Sequence, residues 1–377
     1  MVAKDNNLTT KKKLNFKSIT SLIFIILFSM IIICFPVMYL CGVSAGKNYE
    51  NKVIKDAPKL DQMFLNYTGY ADEFEEHFND HFPFKSKMIE LYSYSEYKIF
   101  NSSIIPAHAS IGKNGWLFYE SFNTRNTVSG QYRLSDDELE YIYNGIMQKY
   151  EILSSLGKKY IIYLAAEKQM IYPEYDRLTV SNYTAIDQLQ EYLAEKNCPV
   201  PFIYSRDYLL EKKTADNQLY FKYDTHWNAL GAHYGYESVM KVIKEMFPDK
   251  NIPICTEFGT GVYERSGDLA SIIYLSDYLK ENTPYLIYEH TPSYTGFNPG
   301  VLVTSNVQSD VKIFLYGDSF AQADYWGAPF AQSSSEVKIM HNANKFKALL
   351  DNLGDSDVVV EECVQRVPTT LGTVYGS

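Results

Sequence analysis

Between Ile19 and Val43 the chain runs for 25 residues without a charge, ITSLIFIILFSMIIICFPVMYLCGV. As a helix this stretch would rise about 37 Å at 1.5 Å per residue, enough to cross a hydrocarbon core of roughly 30 Å with some tilt. Lys4, Lys11, Lys12, Lys13 and Lys17 precede it against a single acid, Asp5. The positive-inside rule then puts the N-terminus in the cytoplasm and everything after Lys47 outside. A cleaved signal peptide is the competing reading, with Val43-Ser44-Ala45 as a small-residue cleavage site. The apolar run exceeds the roughly 7–15 residues of a signal core, which favours an uncleaved anchor. Tyr39 and Leu40 are bulky where a lipoprotein signal at Cys41 needs small residues. Pro36 is expected to kink the helix or to mark its outer end.

The anchor changes how the charge is read. Lys and Arg number 35 against 45 Asp and Glu, a net charge of −10; the basic arm contributes +4, so the remainder carries −14. A basic polymer-binding groove and nucleic acid as the main partner are thereby disfavoured. With 46% apolar and 21% charged residues the chain is globular, not disordered. Of five cysteines, Cys34 and Cys41 lie in the apolar run; Cys198, Cys255 and Cys363 form neither a disulfide framework nor a zinc pattern, and one disulfide among them is left open.

Beyond the anchor, residues 47–110 read as a polar helical stalk. Phe74, Phe78 and Phe82 recur at spacing four among Glu73, Glu75, Glu76 and Asp80, the stripe of an amphipathic helix. His77 and His81 share that spacing, with no third metal ligand nearby. Ile111 to Tyr119 (IGKNGWLFY) reads as two strands around an Asn-Gly turn. Helices are expected over 135–156, opened by a Ser135/Glu138 capping box, and over 185–197, 228–247 and 343–352. The short apolar runs 160–165, 200–204, 311–316 and 357–360 read as strands buried on both faces. Their alternation with helices implies an α/β fold, an open parallel sheet with helices on both faces.

Two short segments carry the chemistry. Tyr316-Gly317-Asp318-Ser319-Phe320 follows directly on the strand VKIFL, and the loop beyond a strand's carboxyl end is where α/β sheets build sites. Gly317 permits a sharp turn that would expose Ser319. A serine hydroxyl needs a base within hydrogen-bond reach to act as a nucleophile. Tyr223-Asp224-Thr225-His226-Trp227-Asn228 offers one. On an extended backbone Asp224 and His226 face the same side, so the carboxylate would hold one ring nitrogen and leave the other free to accept a proton. Two alternatives stay open: Asp224 as a helix cap beside a half-buried His226, and a metal site of Asp224, His226 and His233.

Taken together, the blocks resemble the SGNH hydrolase-like, membrane-anchored polysaccharide O-acetyltransferases of the alginate O-acetylation type, a group overlapping the family named for its Asp-His-His-Trp motif. Phe74 to Phe84 resembles the family's Phe- and acid-rich opening helix, and IGKNGWLFY its Gly-Lys-x-Gly-Trp-Leu-Phe block. Glu167-Lys168 to Tyr172-Pro173-Glu174 resembles its Lys…Tyr-Pro-Glu segment. Asp224-Thr225-His226-Trp227 with Gly231-Ala232 is similar to its Asp-x-His-Trp…Gly-Ala block. Gly267-Asp268-Leu269-Ala270, Gly317-Asp318-Ser319-Phe320 and the closing acidic strand Val358 to Arg366 complete the series. The acid and histidine precede the serine, unlike the order in ordinary SGNH esterases, and Thr225 stands where one branch has a second histidine.

The resemblance implies an SGNH-like catalytic domain over 111–377, preceded by a basic arm over 1–18, a transmembrane signal anchor over 19–46 and the stalk. It implies Ser319 as nucleophile, His226 as base, Asp224 as orienting acid, and no cofactor. The acceptor would be a polysaccharide and the acetyl donor partner a membrane-bound acyltransferase that passes acetyl across the bilayer. Because 58 residues follow Ser319, the catalytic domain is expected to hold the polymer itself. Tyr223, Trp227, Tyr325 and Trp326 are candidate exposed sugar platforms, and Lys168 a candidate substrate contact. An exported acetylesterase with the same triad and a non-catalytic scaffold of an envelope-polymer complex are the competing functions.

Overall fold

The computed structural model describes residues 16–49 and 52–374. Lys4 to Lys13 of the expected basic arm lie outside the described residues. The chain divides into two compact units, Met1–Tyr92 and Ser93–Ser377.

In the first unit one helix, Phe16–Leu40, runs through Pro36. Its stretch Ile19–Leu40 has a mean hydropathy of 2.8 and is unburied by protein, which suits a hydrocarbon environment and fits a signal anchor. The helix Tyr67–Asp80 is capped by the Asn66 side chain, which accepts from the Gly69 N–H. Its phenylalanine stripe finds apolar partners within the unit. Phe78 sits 4.9 Å from Tyr39 and Phe82 5.0 Å from Phe35, ring centre to ring centre. His77 and His81 each direct Nδ1 to a backbone carbonyl, of Lys55 and His77 respectively.

The second unit is built on a seven-stranded sheet. Its strands in chain order are β3 (Lys159–Ala165), β4 (Phe202–Tyr204), β7 (Ser293–Phe297), β8 (Gly300–Thr304), β9 (Ile313–Gly317), β10 (Glu336–His341) and β11 (Val358–Val364), following a small hairpin of β1 (Ala109–Ile111) and β2 (Leu117–Tyr119) and interrupted by a separate ribbon of β5 (Gly259–Arg265) and β6 (Glu281–Ile287). The spatial order is β4-β3-β11-β9-β10-β8-β7. The first five strands are parallel. The expectation of a wholly parallel sheet is corrected at one edge, where β8 and β7 add as an antiparallel hairpin.

Period-two alternation distributes the core. Ile161, Tyr163, Leu315, Val358 and Val360 point to one face, under the helix Ala229–Met246. Tyr160, Ile162, Leu164, Phe314 and Val359 point to the other, under the helices Asp136–Ser155, Ala185–Glu195 and Phe346–Asn352. The Ser135/Glu138 capping box forms as expected. On that second face Lys149 is fully buried, and its Nζ reaches both carboxylate oxygens of Glu361 at 2.6 Å. The Tyr160 hydroxyl donates to the same carboxylate. The three cysteines of this unit, Cys198, Cys255 and Cys363, are free thiols.

Candidate active site

The loop carrying Asp224 and His226 is tied at its neck. Tyr220 and Trp227 form a bridge, and the Phe221 N–H donates to the His226 carbonyl at 3.1 Å. Within the loop the backbone bends and is not extended. Asp224 Oδ1 accepts both the His226 backbone N–H at 3.0 Å and Nδ1 at 2.8 Å. The carboxylate thus reaches its histidine through an Asx turn, a different route from the extended one expected. The helix-cap reading is displaced four residues along the chain: Asn228 caps the helix Ala229–Met246, accepting from Leu230 and Gly231.

Ser319 arrives from the other direction, at the carboxyl end of β9. A Cβ on Gly317 would lie 2.6–2.7 Å from Glu362 and Ala321, so only glycine passes here. Asp318 then fastens the turn: Oδ1 accepts from Phe320 N–H and Oδ2 from Val364 N–H, at 2.9 and 2.8 Å. Glu362 lies beneath, accepting from Asp318 N–H at 3.0 Å. Burial and the neighbouring Asp318 push its carboxyl well above the usual carboxylate range. These contacts bring the Ser319 Oγ to 2.7 Å from His226 Nε2. Ser319 opens a short 3₁₀ turn, Ser319–Ala321, whose first backbone N–H has no carbonyl partner within the turn.

A second acid and an arginine complete the surroundings, and the sequence did not place either there. Asp268 Oδ1 accepts the Thr225 N–H at 2.7 Å and Oδ2 the Thr225 hydroxyl at 2.6 Å, and the Asp268 N–H donates to Asp224 Oδ2 at 3.2 Å. The approach needs Gly267, because a Cβ there would come within 2.1 Å of the Tyr223 carbonyl. The Gly-Asp-Leu-Ala block was therefore the available signal for Asp268. Arg265, from the end of β5, donates to Asp224 Oδ2 at 2.7 Å and lies 4.0 Å over the Phe221 ring; no motif marked it. Burial raises the Asp224 carboxyl, but the bonds and charge of His226 and then Arg265 outweigh it and hold the group well below its ordinary value. Asp268 shifts the other way, raised by desolvation and by the Asp224 charge.

Asp224, His226 and Asp268 also hold ligand atoms within 4.8 Å of one another, the one such group of three among the described residues. His233 belongs elsewhere: it is fully buried, with Nδ1 on the Tyr288 hydroxyl at 3.0 Å and Nε2 3.3 Å from Glu237. The donors of the close group are occupied by one another and by Thr225, an arrangement that orients a histidine as it stands.

The expected sugar contacts are largely corrected. Trp227 and Trp326 are fully buried, packed 5.5 Å apart and against Phe320 and Tyr163 beneath the serine turn. Tyr223 is buried in a small core with Leu117 and Leu269. Of the four aromatics only Tyr325 remains half-exposed, stacked 5.3 Å from the His226 ring. Lys168 is buried and donates to the carbonyls of Phe221, Lys222 and Asp224 at 3.1, 3.4 and 2.7 Å, so it braces the histidine loop and is not available to substrate.

Burial pulls the Lys168 pKa down to about 8, against the carboxylates of Asp268 and Asp224. Between that value and the ordinary lysine value the unfolded chain binds the extra proton, so this group adds stability as pH rises through about 8 to 10.5. Below pH 8 the cost of the buried charge is carried in full. Chemical denaturation across this range should show the increment, on the order of 3 kcal/mol, in the wild type and not in Lys168→Met. Parallel curves for the two proteins would contradict it.

Residues 109–348 match the family model described as the SGNH hydrolase-like domain of the acetyltransferase AlgX. The probable alginate O-acetylase AlgJ of Pseudomonas syringae pv. tomato is 25% identical over 263 residues, covering 67% of this chain and 63% of the relative. The protein of the same description from Pseudomonas aeruginosa is 27% identical over 256 residues, covering 66% and 61%. The chain thus spans somewhat under two thirds of the length of these curated relatives. Among solved structures, PatB1 of Bacillus cereus superposes with a TM-score of 0.52 at 18% identity, over 71% of this chain and 97% of that one.

Proposed function

Since the chain belongs to the family of AlgX-type SGNH hydrolase-like domains, we propose that it is a membrane-anchored, extracytoplasmic O-acetyltransferase that moves acetyl through an acetyl-serine to hydroxyls of an exported or cell-wall polysaccharide. The observation that carries this reading is the unbroken hydrogen-bonded line from Asp224 Oδ1 to His226 Nδ1 and from Nε2 to Ser319 Oγ, at 2.8 and 2.7 Å.

In this mechanism Ser319 Oγ attacks the donor's acetyl carbonyl while His226 Nε2 takes its proton. Asp224, kept ionised by its partners, holds Nδ1 as the donor and stabilises the imidazolium. The Ser319 N–H faces the oxyanion of the tetrahedral intermediate. Collapse expels the donor's leaving group, which receives the proton from His226. A sugar hydroxyl then attacks the acetyl-serine, gives its proton to His226, and leaves as the acetyl ester while Ser319 regains a proton. The donor partner in this scheme is a membrane-bound acyltransferase, and the anchor raises the effective concentration of the domain beside it.

The test is acetyl transfer by the full-length protein in detergent, from a chromogenic acetyl ester to candidate oligosaccharides. Acetyl recovered on a sugar hydroxyl supports the transferase; release to water at one rate with or without glycan leaves an esterase. For topology, a reporter fused after residue 60 is expected to be active only in its export-dependent form. Activity of a cytoplasm-only reporter at that point would overturn the localisation.

A further inference from the structure

The ribbon of β5 and β6 lies outside the main sheet and bears on the site at one end only. Its register pairs Arg265 with Glu281, Tyr263 with Thr283, Gly261 with Tyr285 and Gly259 with Ile287, so these residues share one face. At the inner end of that face Arg265 holds Asp224, and Glu281 accepts the N–H groups of Lys222 and Tyr223 at 2.9 and 3.1 Å. Arg265 also interacts electrostatically with Tyr325, which covers the His226 ring, and with Tyr263. Outward from there the same face carries three exposed apolar side chains around a buried Thr283: Tyr263, Tyr285 and Ile287 are 44%, 46% and 53% exposed.

The tyrosines are held in a particular way. A Cβ on Gly261 would lie 2.1–2.4 Å from the Tyr285 ring atoms, so the ring rests on bare backbone opposite it. Glycine covered by a cross-strand aromatic is a known device of sheets. It fixes one side of the ring and leaves the rest to solvent. Tyr263 lies 6.3 Å away, tilted by 56°. From Arg265 to Gly261 the strand rises about 14 Å, a span longer than one pyranose ring.

We propose that this face is the acceptor platform of the site, and that it takes a neutral polysaccharide in place of a polyuronate; the proposal rests on the acetyltransferase reading. A pyranose has an apolar C–H face that packs on an aromatic ring while its hydroxyls stay wet, and tyrosine supplies both the ring and a polar edge. The charges of the ribbon disfavour a polyanion. On the ribbon and the turn leading into it, Arg265 is committed to Asp224 and Lys280 pairs with Glu264 at 3.7 Å. At the inner end of this face a chain of carboxylates would meet Asp268 and Glu281 with no uncommitted cation of the ribbon to answer it.

The experiment measures oligosaccharide binding to the full-length Ser319→Ala protein in detergent, by titration calorimetry, with neutral hexose oligosaccharides and oligouronates of matched length. Binding is read whether or not acetyl moves, so failure of the platform and failure of the transferase reading are separate results. Neutral oligosaccharides are expected to bind, and Tyr285→Ala or Tyr263→Ala to weaken them about tenfold with the melting temperature unchanged, since both side chains are exposed. Gly261→Val, which dislodges the Tyr285 ring, should do the same. Tighter binding of oligouronates, or equal binding by the alanine variants, overturns the proposal. Unchanged glycan binding with loss of polymer acetylation in cells also overturns it, and would make the face a docking site for a protein.

Discussion

Ser319→Ala and His226→Ala are each expected to lower turnover by about 10⁴ to 10⁶, and Asp224→Asn by somewhat less, because triad residues act as a unit. Among the described residues the Ser319 Oγ is the hydroxyl bonded to His226 Nε2, at 2.7 Å. For the same reason the double variant Ser319→Ala with His226→Ala should cost little more than either alone. With acceptor withheld, the peptide carrying Ser319 should gain the mass of one acetyl group, and lose it when the right glycan is added. Wild-type turnover in Ser319→Ala would remove the acetyl-serine reading, whereas no turnover by the wild type together with unchanged polymer acetylation in cells carrying Ser319→Ala would leave a scaffold. Asp224→Asn has a further consequence here. Its Oδ2 also receives Arg265 and the Asp268 N–H, so an amide that turns its nitrogen toward them loses two bonds, and a kcat that falls together with a lowered melting temperature is the expected pattern.

The largest effect on stability is expected at Lys149. Its ammonium is fully buried and spans both oxygens of Glu361. Lys149→Met would leave a carboxylate in the core with the Tyr160 hydroxyl as its remaining partner, at a cost of about 3–5 kcal/mol. For a unit of this size that lowers the melting temperature on the order of 10 °C. Replacing the whole group, Lys149→Met with Glu361→Leu and Tyr160→Phe, should recover most of the loss, since apolar residues of similar volume can substitute for a buried ion pair. A single Lys149→Met that melts within a degree or two of wild type would mean that water reaches the pair.

The parallel core was legible in the sequence where its strands are buried on both faces, β3, β9 and β11; β4, expected to be buried likewise, is a half-buried strand at the sheet edge, where one side has no neighbour. YIIYLA, VKIFL and DVVV cannot be read as half-exposed, and their alternation with capped helices leaves few architectures. β10 was not legible: EVKIMH carries Glu336 and Lys338 among its apolar residues, a pattern that suits an edge as well as the interior position it takes beside β9. The β5–β6 ribbon was also missed, since its glycines and exposed side chains give no apolar periodicity to read.

Local sequence determined that a serine would leave a buried strand on a glycine turn, that a histidine would have an aspartate two residues before it, and that an apolar helix would precede both. These follow from short-range geometry and hydropathy, which neighbouring residues set between themselves. Only the tertiary structure decided that Nε2 of one loop meets Oγ of another 93 positions away, and that Asp268 and Arg265 join them. It also turned the tryptophans and Lys168 from expected surface contacts into buried supports. Burial depends on what packs above a residue, and those partners come from strands and turns far along the chain; no window of sequence around Trp227 or Lys168 contains them.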